Sequence, residues 1–164
     1  MKKITTLPFL FAMLICIYAC ADYKPIFYSP NLQFEIVDYS VEGDKKLGNK
    51  IYSKLYNLSK SNKNQKEITS VVINIKVLKE KNSTSKDATG KILEYKINLN
   101  TKVIVKNYLT NDTLLDKNFI SSLSYKVQDQ YSETMKLENK VIGDLINRTY
   151  QDLLIKLSEN ILTK

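Results

Sequence analysis

The sequence contains no histidine and no tryptophan. Without histidine, neither a Ser-His-Asp triad nor a Cys-His nucleophile can form, and no metal site can use an imidazole ligand. The missing residue type therefore argues against several hydrolase mechanisms at once. It favours a protein that acts by binding partners, for which we expect no cofactor and no metal.

Cysteine is also scarce, and the two cysteines of the chain lie near its amino terminus. Cys16 falls within an apolar stretch at residues 7–19 (LPFLFAMLICIYA), which follows the basic residues Lys2 and Lys3. This stretch is shorter than the about 20 apolar residues of a membrane-spanning helix and is typical of an export signal. If that signal is removed, Cys20 is the remaining cysteine, and no intramolecular disulfide can form.

The end of the apolar stretch, residues 17–20 (IYAC), has the arrangement of a bacterial lipobox. An aliphatic residue stands three places before the cysteine, and the small residue Ala19 directly precedes it. We therefore predict that Cys20 becomes the lipidated, palmitate-bearing first residue, since several acyl chains hold a protein at a bilayer far better than one. The alternative is an ordinary cleaved signal with a chance cysteine. Ala21 stands where an aspartate would favour retention in the inner membrane, so we expect the outer membrane.

Composition divides the chain into three parts. Residues 1–19 are the predicted lipoprotein signal peptide, and residues 20–31 are a lipidated extended tether in which Pro25 and Pro30 oppose helix formation. Residues 32–164 form the predicted single domain. Removal of 19 of the 164 residues leaves 145, a length that suits one domain with one hydrophobic core.

The chain is basic, with a formal net charge of +8, which becomes +6 when Lys2 and Lys3 are removed. A basic surface can attract anionic head groups, phosphorylated glycolipids or nucleic acid. The same charge is expected from a chain that is rich in lysine, asparagine and isoleucine throughout, as a genome poor in G and C would encode. Charge alone does not decide between these interpretations.

Hydrophobic periodicity predicts six elements in the order β-α-β-β-β-α. The first helix has Asp44 as its N-cap, and a long second helix follows Ser132, which is its predicted N-cap. Residues 93–105 alternate between apolar and polar side chains, as in a strand with one face on a core. We predict an α+β fold, a two-layer sandwich with two helices packed on one face of a four-stranded, mostly antiparallel sheet. The apolar stripe of the first helix consists of Leu47, Ile51, Leu55 and Leu58.

Two polar segments are candidate binding surfaces. Residues 79–91 (KEKNSTSKDATGK) are polar and charged and contain Gly90, so we predict a long loop with a mobile tip. The strand that follows presents a polar face opposite its apolar one. This face consists of Glu94, Lys96, Asn98, Asn100, Lys102 and Lys106.

Three short strings, together with the order of elements, resemble the LptE family of lipopolysaccharide-assembly lipoproteins. Residues 20–27 (CADYKPIF) are similar to the family's start, in which a lipidated cysteine precedes an aromatic residue, a proline and a second aromatic residue. Residues 95–99 (YKINL) resemble the opening of its long central strand. Residues 124–127 (SYKV) resemble the strand end before its charged helix. The chain departs from the family in lacking glycine beside the cysteine and in having Arg148 as its single arginine.

The resemblance implies a non-catalytic subunit. LptE-like proteins plug the barrel of LptD, assist its assembly and help to deliver lipopolysaccharide to the outer leaflet. The implied partners are an LptD-like β-barrel protein, lipopolysaccharide and, through the lipid anchor, the periplasmic side of the outer membrane, without nucleic acid. The candidate residues for lipopolysaccharide are Lys79, Lys81, Lys86 and Lys91, and those for docking on the barrel are Tyr23, Phe27 and Tyr28.

Each of these assignments has a plainer alternative. The lysines can form a solvated charged loop, and the aromatic residues of the tether can pack on the edge of the domain itself. In place of the barrel subunit, the chain can be another periplasm-facing lipoprotein adaptor that binds a cell-envelope protein, such as an activator of cell-wall synthesis. A lipoprotein hydrolase is a third class, against which the missing histidine argues.

Overall fold

The computed structural model describes residues 33–61 and 68–161. The predicted signal peptide, the tether, Cys20 and the tether's aromatic residues Tyr23, Phe27 and Tyr28 lie outside the described residues. The element order is the predicted one. In chain order the elements are β1 (Phe34–Gly43), α1 (Lys45–Ser61), β2 (Thr69–Lys86), β3 (Ile92–Asn107), β4 (Thr113–Lys126) and α2 (Tyr131–Ile161).

The four strands form one sheet in the order β1-β2-β3-β4. β2, β3 and β4 pair as antiparallel neighbours, whereas β1 pairs parallel to β2. The parallel pair follows from the connection, because α1 carries the chain back to the starting end of β1 before β2 begins. The prediction of a mostly antiparallel four-stranded sheet is therefore confirmed.

Both helices pack on the same face of the sheet and share one hydrophobic core. The central part of β3 shows why. From Ile97 to Val105 the odd-numbered residues are buried, while the even-numbered residues between them are at least partly exposed. Side chains from β2, β4 and both helices complete the layer between the sheet and the helices. The fully buried members include Ile51, Leu55, Ile73, Ile75, Ile97, Leu99, Leu145, Leu153 and Leu157.

The start of α1 is determined by local chemistry. Gly43 has a φ of +73°, a conformation that L side chains rarely adopt, and it turns the chain out of β1. The Asp44 carboxylate then accepts a hydrogen bond from the Leu47 N–H at 3.2 Å, which confirms the predicted N-cap. A Cβ on Gly48 would lie 2.4 Å from Val41 Cγ1, so glycine lets α1 approach β1 closely.

The long helix α2 has 31 residues, or about 46 Å at 1.5 Å per residue. The prediction that Ser132 is its N-cap is wrong, because Ser132 already lies inside the helix, which begins at Tyr131. The Gln130 carbonyl instead accepts hydrogen bonds from the N–H groups of Glu133 and Thr134, both at 3.2 Å. Glu133 lies in the first turn, where its charge is favourable, as predicted.

The predicted loop at residues 79–91 is largely β-structure, so this prediction is wrong. β2 continues to Lys86 and β3 begins at Ile92, which leaves residues 87–91 as the turn. Lys79, Lys81 and Lys86 therefore lie in a strand, and Lys91 lies in the turn. The error has a physical reason, since side chains there are exposed on both faces and carry no apolar alternation, while the backbone pairing with β3 is intact.

Candidate functional site: the uncovered sheet face and the hairpin end

No described element packs on the sheet face opposite the helices, which we call the uncovered face. The strand register aligns its side chains in rows that run from β2 through β3 to β4. One row consists of Leu78, Asn100 and Ile120, and the next consists of Lys76, Lys102 and Asn118. Three further rows are Asn74, Ile104 and Asp116; Glu80, Asn98 and Ser122; and Asn82, Lys96 and Ser124.

The uncovered face is polar with isolated apolar residues. The predicted polar face of β3 is confirmed, because its even-numbered residues alternate with buried Ile97, Leu99 and Val103. Asparagine and serine side chains each donate and accept hydrogen bonds, so they tolerate a wet contact. Leu78 and Ile120 are 50% and 74% exposed, respectively, and supply apolar contact area between the amides. This combination suits a hydrated interface with a partner surface.

The charges of the uncovered face are paired only loosely. Lys102 Nζ lies 3.5 Å from Asp116 Oδ1, and Lys76 Nζ lies 3.7 Å from Glu42 Oε2. All four side chains are more than half exposed. Ion pairs of this kind contribute little to stability and rearrange easily. These side chains are therefore available to contact a partner.

The second part of the site is the hairpin end, which comprises residues 79–97 of β2, the turn and β3. Its turn is held by the Asp87 carboxylate, which accepts hydrogen bonds from the N–H groups of Thr89 and Lys91 at 2.8 and 3.0 Å. Gly90 has a φ of +86°, which the turn requires. The Thr89 hydroxyl, followed by these backbone donors, lowers the pKa of Asp87 below its usual value. The turn is therefore ordered by its own hydrogen bonds.

Lys81 lies at the centre of an ordered cluster on the helix side of the hairpin end. Its Nζ donates to Glu138 Oε2 of α2 at 2.6 Å, and the Tyr125 hydroxyl donates to the same oxygen at 2.8 Å. The Lys81 ammonium also lies 4.3 Å from the centroid of the Tyr95 ring, close enough for a cation–π interaction. This cluster joins β2, β3, β4 and the first turns of α2.

The pKa values in this cluster follow from competition between burial and pairing. Burial disfavours both ionised groups, but the hydrogen bond and charge of Glu138 outweigh it and raise the pKa of Lys81 above its usual value. In the same way, burial is outweighed by the hydrogen bonds from Lys81 and Tyr125, which lower the pKa of Glu138. Burial also raises the pKa of the Tyr125 phenol. Lys81 and Glu138 are therefore both charged at neutral pH.

The structure does not bring the four candidate lysines together. Lys79 and Lys86 are seven positions apart in one strand, or about 23 Å at 3.3 Å per residue. Lys86 and Lys91 flank the same turn, where the Asp87 N–H donates to the Lys91 carbonyl at 2.9 Å. Lys81 is occupied by Glu138. The best remaining anion-binding pair at the hairpin end is therefore Lys86 with Lys91.

Sequence reasoning missed two features of this molecule. The contact between Lys81 and Glu138 spans 57 positions, and no local spacing signals it. By contrast, a row of lysines on α1 at Lys46, Lys50 and Lys54 follows a spacing of four residues, which places side chains on one helix face and was visible in the sequence.

The described part of the chain holds neither a metal-ligand cluster nor a membrane-spanning helix. Within residues 33–61 and 68–161, no group of three or more cysteine, aspartate or glutamate residues is placed to hold a metal ion. In the same ranges, no helix combines the length and the apolar character needed to cross a bilayer.

Several solved structures of bacterial lipoproteins are similar to this fold. Rare lipoprotein B from Shewanella oneidensis superposes with a TM-score of 0.53 at 14% identity, over 77% of this chain and 98% of that one. The chain has the rare lipoprotein B fold. Lipoprotein B from Nitrosomonas europaea gives a TM-score of 0.55 at 17% identity, over 79% of this chain and 84% of that one. A minor lipoprotein from Acinetobacter baumannii gives a TM-score of 0.55 at 11% identity, over 76% of this chain and 91% of that one.

The rare lipoprotein B fold agrees with the resemblance to LptE that the sequence strings indicate. At these identities the likeness shows the shared architecture of helices and sheet. No protein-family model matches the sequence, and neither does any curated protein. The finer assignment of function therefore depends on the surfaces described above.

Proposed function

We propose that this protein is a non-catalytic outer-membrane lipoprotein that plugs an LptD-like β-barrel, assists its assembly and helps to deliver lipopolysaccharide to the outer leaflet. In this proposal Cys20 carries the lipid anchor, and the domain faces the periplasm. The main support is the combination of the rare lipoprotein B fold with a wide, polar, uncovered sheet face. The lack of histidine supports a role without catalysis.

The dimensions of the uncovered face indicate what kind of partner it suits. β3 has 16 residues, which gives a length of about 53 Å, and four strands give a width of about 15–19 Å. A partner that contacts the whole of this surface must itself be large. Barrels of eight strands have an interior filled by side chains, whereas barrels of 16 or more strands leave a lumen wide enough for water or a plug. A large barrel therefore suits the proposal better than a small one.

The chemistry of the face supports a wet contact. The lumen of a transmembrane barrel is polar, so a plug gains nothing from a strongly apolar surface there. The rows of asparagine, serine and lysine can exchange hydrogen bonds with such a wall directly or through water. Leu78 and Ile120 then supply the apolar anchor points at the centre of the face.

The hairpin end supports the part of the proposal that concerns lipopolysaccharide. Lys86 and Lys91 are exposed, and they flank a turn that is already ordered by Asp87. Phosphates and acidic sugars of a glycolipid can accept hydrogen bonds from such ammonium groups. An ordered turn loses less conformational freedom on binding than a mobile loop would.

Co-purification tests the proposal. The full-length chain is extracted from membranes in mild detergent, and we expect a large β-barrel protein to be recovered with it. Asn100→Trp places a bulky side chain at the centre of the uncovered face and should reduce the recovered barrel. Asn57→Trp, the matched control on an exposed position of α1, should leave it unchanged.

Two results would contradict the proposal. Recovery of inner-membrane or peptidoglycan enzymes without a β-barrel would support the alternative of another cell-envelope adaptor. Equal barrel recovery with Asn100→Trp and with wild type would show that the uncovered face does not form the contact.

A further inference from the structure

β1 and β4 are the two edge strands of the sheet, and among residues 33–61 and 68–161 no strand pairs with the outer side of either. Unpaired backbone N–H and C=O groups on an edge strand form a template for pairing with another chain. Bulges and charged side chains usually block such pairing. The two edges of this sheet differ in both respects.

β1 has both kinds of protection. Its pairing with β2 shifts in register between Ile36 and Asp38. Its 10 residues include the carboxylates of Glu35, Asp38 and Glu42 and contain no basic side chain. Two copies of this edge would bring acidic side chains close together, which is unfavourable. β1 is therefore a poor partner for a second β1.

β4 lacks this protection along most of its length. It has 14 residues without proline or glycine, and residues 118–125 (NFISSLSY) carry no charge. Ile120 is 74% exposed on the uncovered face, and Phe119 and Leu123 are partly exposed on the helix side. An edge strand of this length and composition can accept a further strand.

The sequence of β4 is complementary to itself in one antiparallel register. When Ser121 lies opposite Ser121 of a second copy, Asp116 lies opposite Lys126, and Phe119 lies opposite Leu123. A two-fold axis generates each of these pairs twice. Opposite charges and apolar side chains that face each other directly across two antiparallel strands are stabilising. A shift of this register by two residues in either direction loses both charge pairs.

The charged residues at the two ends of this register can exchange partners. Asp116 Oδ1 lies 3.5 Å from Lys102 Nζ, but both side chains are 51% exposed, and ion pairs of this kind contribute little. Lys126 is exposed, and within residues 33–61 and 68–161 no ion pair involves it. A contact between Asp116 and Lys126 of a second copy therefore costs little to form.

The helix layer above β4 carries a second complementary pair of charges. The hydroxyls of Ser121 and Thr149 lie 3.3 Å apart, which places α2 directly over the centre of the register. Tyr150 faces α1, where a lysine ammonium lies 5.5 Å from its ring centroid. At 3.6 residues per turn, Arg148 and Asp152 lie on the opposite side of α2, and both are exposed. A two-fold axis at Ser121 runs the two copies of α2 in opposite directions, so Arg148 of one copy faces Asp152 of the other.

We propose that the isolated protein forms a two-fold dimer in which β4 pairs antiparallel with β4 of a second copy, centred on Ser121. The two four-stranded sheets then join into one sheet of eight strands with all helices on the same side. Pairing satisfies the backbone groups of the open edge, which would otherwise promote aggregation. The dimer requires no contact with a barrel, so it goes beyond the proposed function and does not depend on it.

Sedimentation equilibrium tests the association. The full-length chain is measured in density-matched detergent, with micelles in large excess over protein so that two chains rarely share a micelle by chance. We expect the protein mass to rise from that of one chain to that of two chains as the protein concentration increases, without larger species. A mass of one chain at every concentration would overturn the proposal.

Charge reversal tests the register. Lys126→Glu and Asp116→Lys should each weaken the dimer by roughly tenfold, because each substitution replaces an attraction by a repulsion at two symmetric places. The double variant Asp116→Lys with Lys126→Asp swaps the charges and should restore association. Lys50→Glu makes the same change in net charge on an exposed position of α1 and should leave the dimer intact.

Hydrogen exchange of the backbone amides locates the interface. Alternate residues of β4 point their N–H groups outward, and these groups become bonded when two edges pair. We expect exchange at alternate positions within residues 117–125 to slow as the protein concentration increases, while exchange along β1 stays the same. Slowing along β1 in place of β4 would contradict the proposal.

The charge variants provide further ways to refute the dimer. An equal loss with Lys50→Glu and Lys126→Glu would indicate general charge effects, and failure of the charge swap to restore association would exclude this register. Growth to assemblies larger than two chains would indicate pairing of β4 with β1, a contact that does not close. All of these measurements use the isolated protein, so their failure is distinguishable from failure to recover a β-barrel.

Discussion

The cluster of Lys81, Glu138, Tyr125 and Tyr95 predicts a measurable loss of stability when its carboxylate is removed. Glu138→Gln keeps the size of the side chain and an oxygen that can accept from the Tyr125 hydroxyl, but it removes the negative charge. Lys81 then keeps its position beside the Tyr95 ring without an anionic partner. The substitution therefore isolates the charge interaction between β2 and α2.

The size of the expected stability loss follows from how exposed the Lys81 and Glu138 side chains are. A hydrogen bond to a charged group contributes about 1.5–3 kcal/mol when desolvated, and an exposed ion pair contributes about 0.2–1 kcal/mol. Glu138 is 13% exposed, but Lys81 is 35% exposed, so the pair falls between these limits. We expect Glu138→Gln to cost about 1–2 kcal/mol, which corresponds to a decrease in Tm of about 3–6 °C for a chain of this size.

The pH dependence gives a second, independent signature. The pKa of Glu138 is lowered in the folded state. The stability that Glu138 contributes is therefore fully present above the unfolded carboxyl pKa of about 4.3, and it is lost as the pH falls through the lower pKa of the folded state. The pKa of Lys81 is raised, so its contribution is present below about 10.4 and is lost as pH rises further. The stability difference between wild type and Glu138→Gln should therefore be constant near neutral pH and shrink below about pH 4.

Denaturant unfolding of the full-length chain, followed by circular dichroism, measures these quantities. Asp116→Asn is the matched control, because it removes the carboxylate of a pair in which both side chains are 51% exposed, and we expect it to cost less than about 0.5 kcal/mol. A double-mutant cycle with Lys81→Met should give a coupling energy of about 1 kcal/mol. Equal effects of Glu138→Gln and Asp116→Asn, or a difference that persists unchanged to pH 3, would refute the reasoning.

Three further predictions concern the core, the anchor and the hairpin end. Leu153→Ala should cost about 2–5 kcal/mol in denaturant unfolding, because Leu153 of α2 is fully buried in the core, and a loss below about 1 kcal/mol would contradict the assigned core. Cys20→Ser should release or misprocess the protein, as membrane fractionation and mass spectrometry of the amino terminus can show, and unchanged membrane retention would disprove the lipobox prediction. Lys86→Glu combined with Lys91→Glu should weaken lipopolysaccharide binding in a salt-dependent way, whereas Lys117→Glu should have little effect. If the double variant binds lipopolysaccharide with unaltered affinity, Lys86 and Lys91 are solvated surface charges and not binding residues.

The order of elements could be predicted because it depends on local patterns. The period of two in β3 and the four-residue spacing of Leu47, Ile51 and Leu55 reflect which side of each element meets the core. The cap at Asp44 and the turn at Gly43 are equally local, since each is determined by one side chain or its absence. These local signals were sufficient to predict a two-layer α+β fold with both helices on one face of the sheet.

The hairpin end could not be predicted in the same way. Residues 79–86 extend beyond the end of β1, which pairs with β2 only as far as Val77. Their side chains are exposed and show no alternation of apolar and polar types. What makes them a strand is the backbone pairing with β3, from Lys79 opposite Leu99 to Lys86 opposite Ile92. Pairing of this kind is a property of two distant segments, and the polar composition alone indicated a loop.

The amino-acid sequence by itself determined which elements form, which face of each is apolar and, through the absence of histidine, which chemistries are excluded. Tertiary structure alone decided which polar groups meet. It placed the Lys81 ammonium on Glu138, separated Lys79 from Lys86 and set the lysine row of α1 opposite Gly143. The physical reason is that hydrophobic periodicity is recorded locally along the chain, whereas electrostatic partners are chosen by the packing of helices on the sheet.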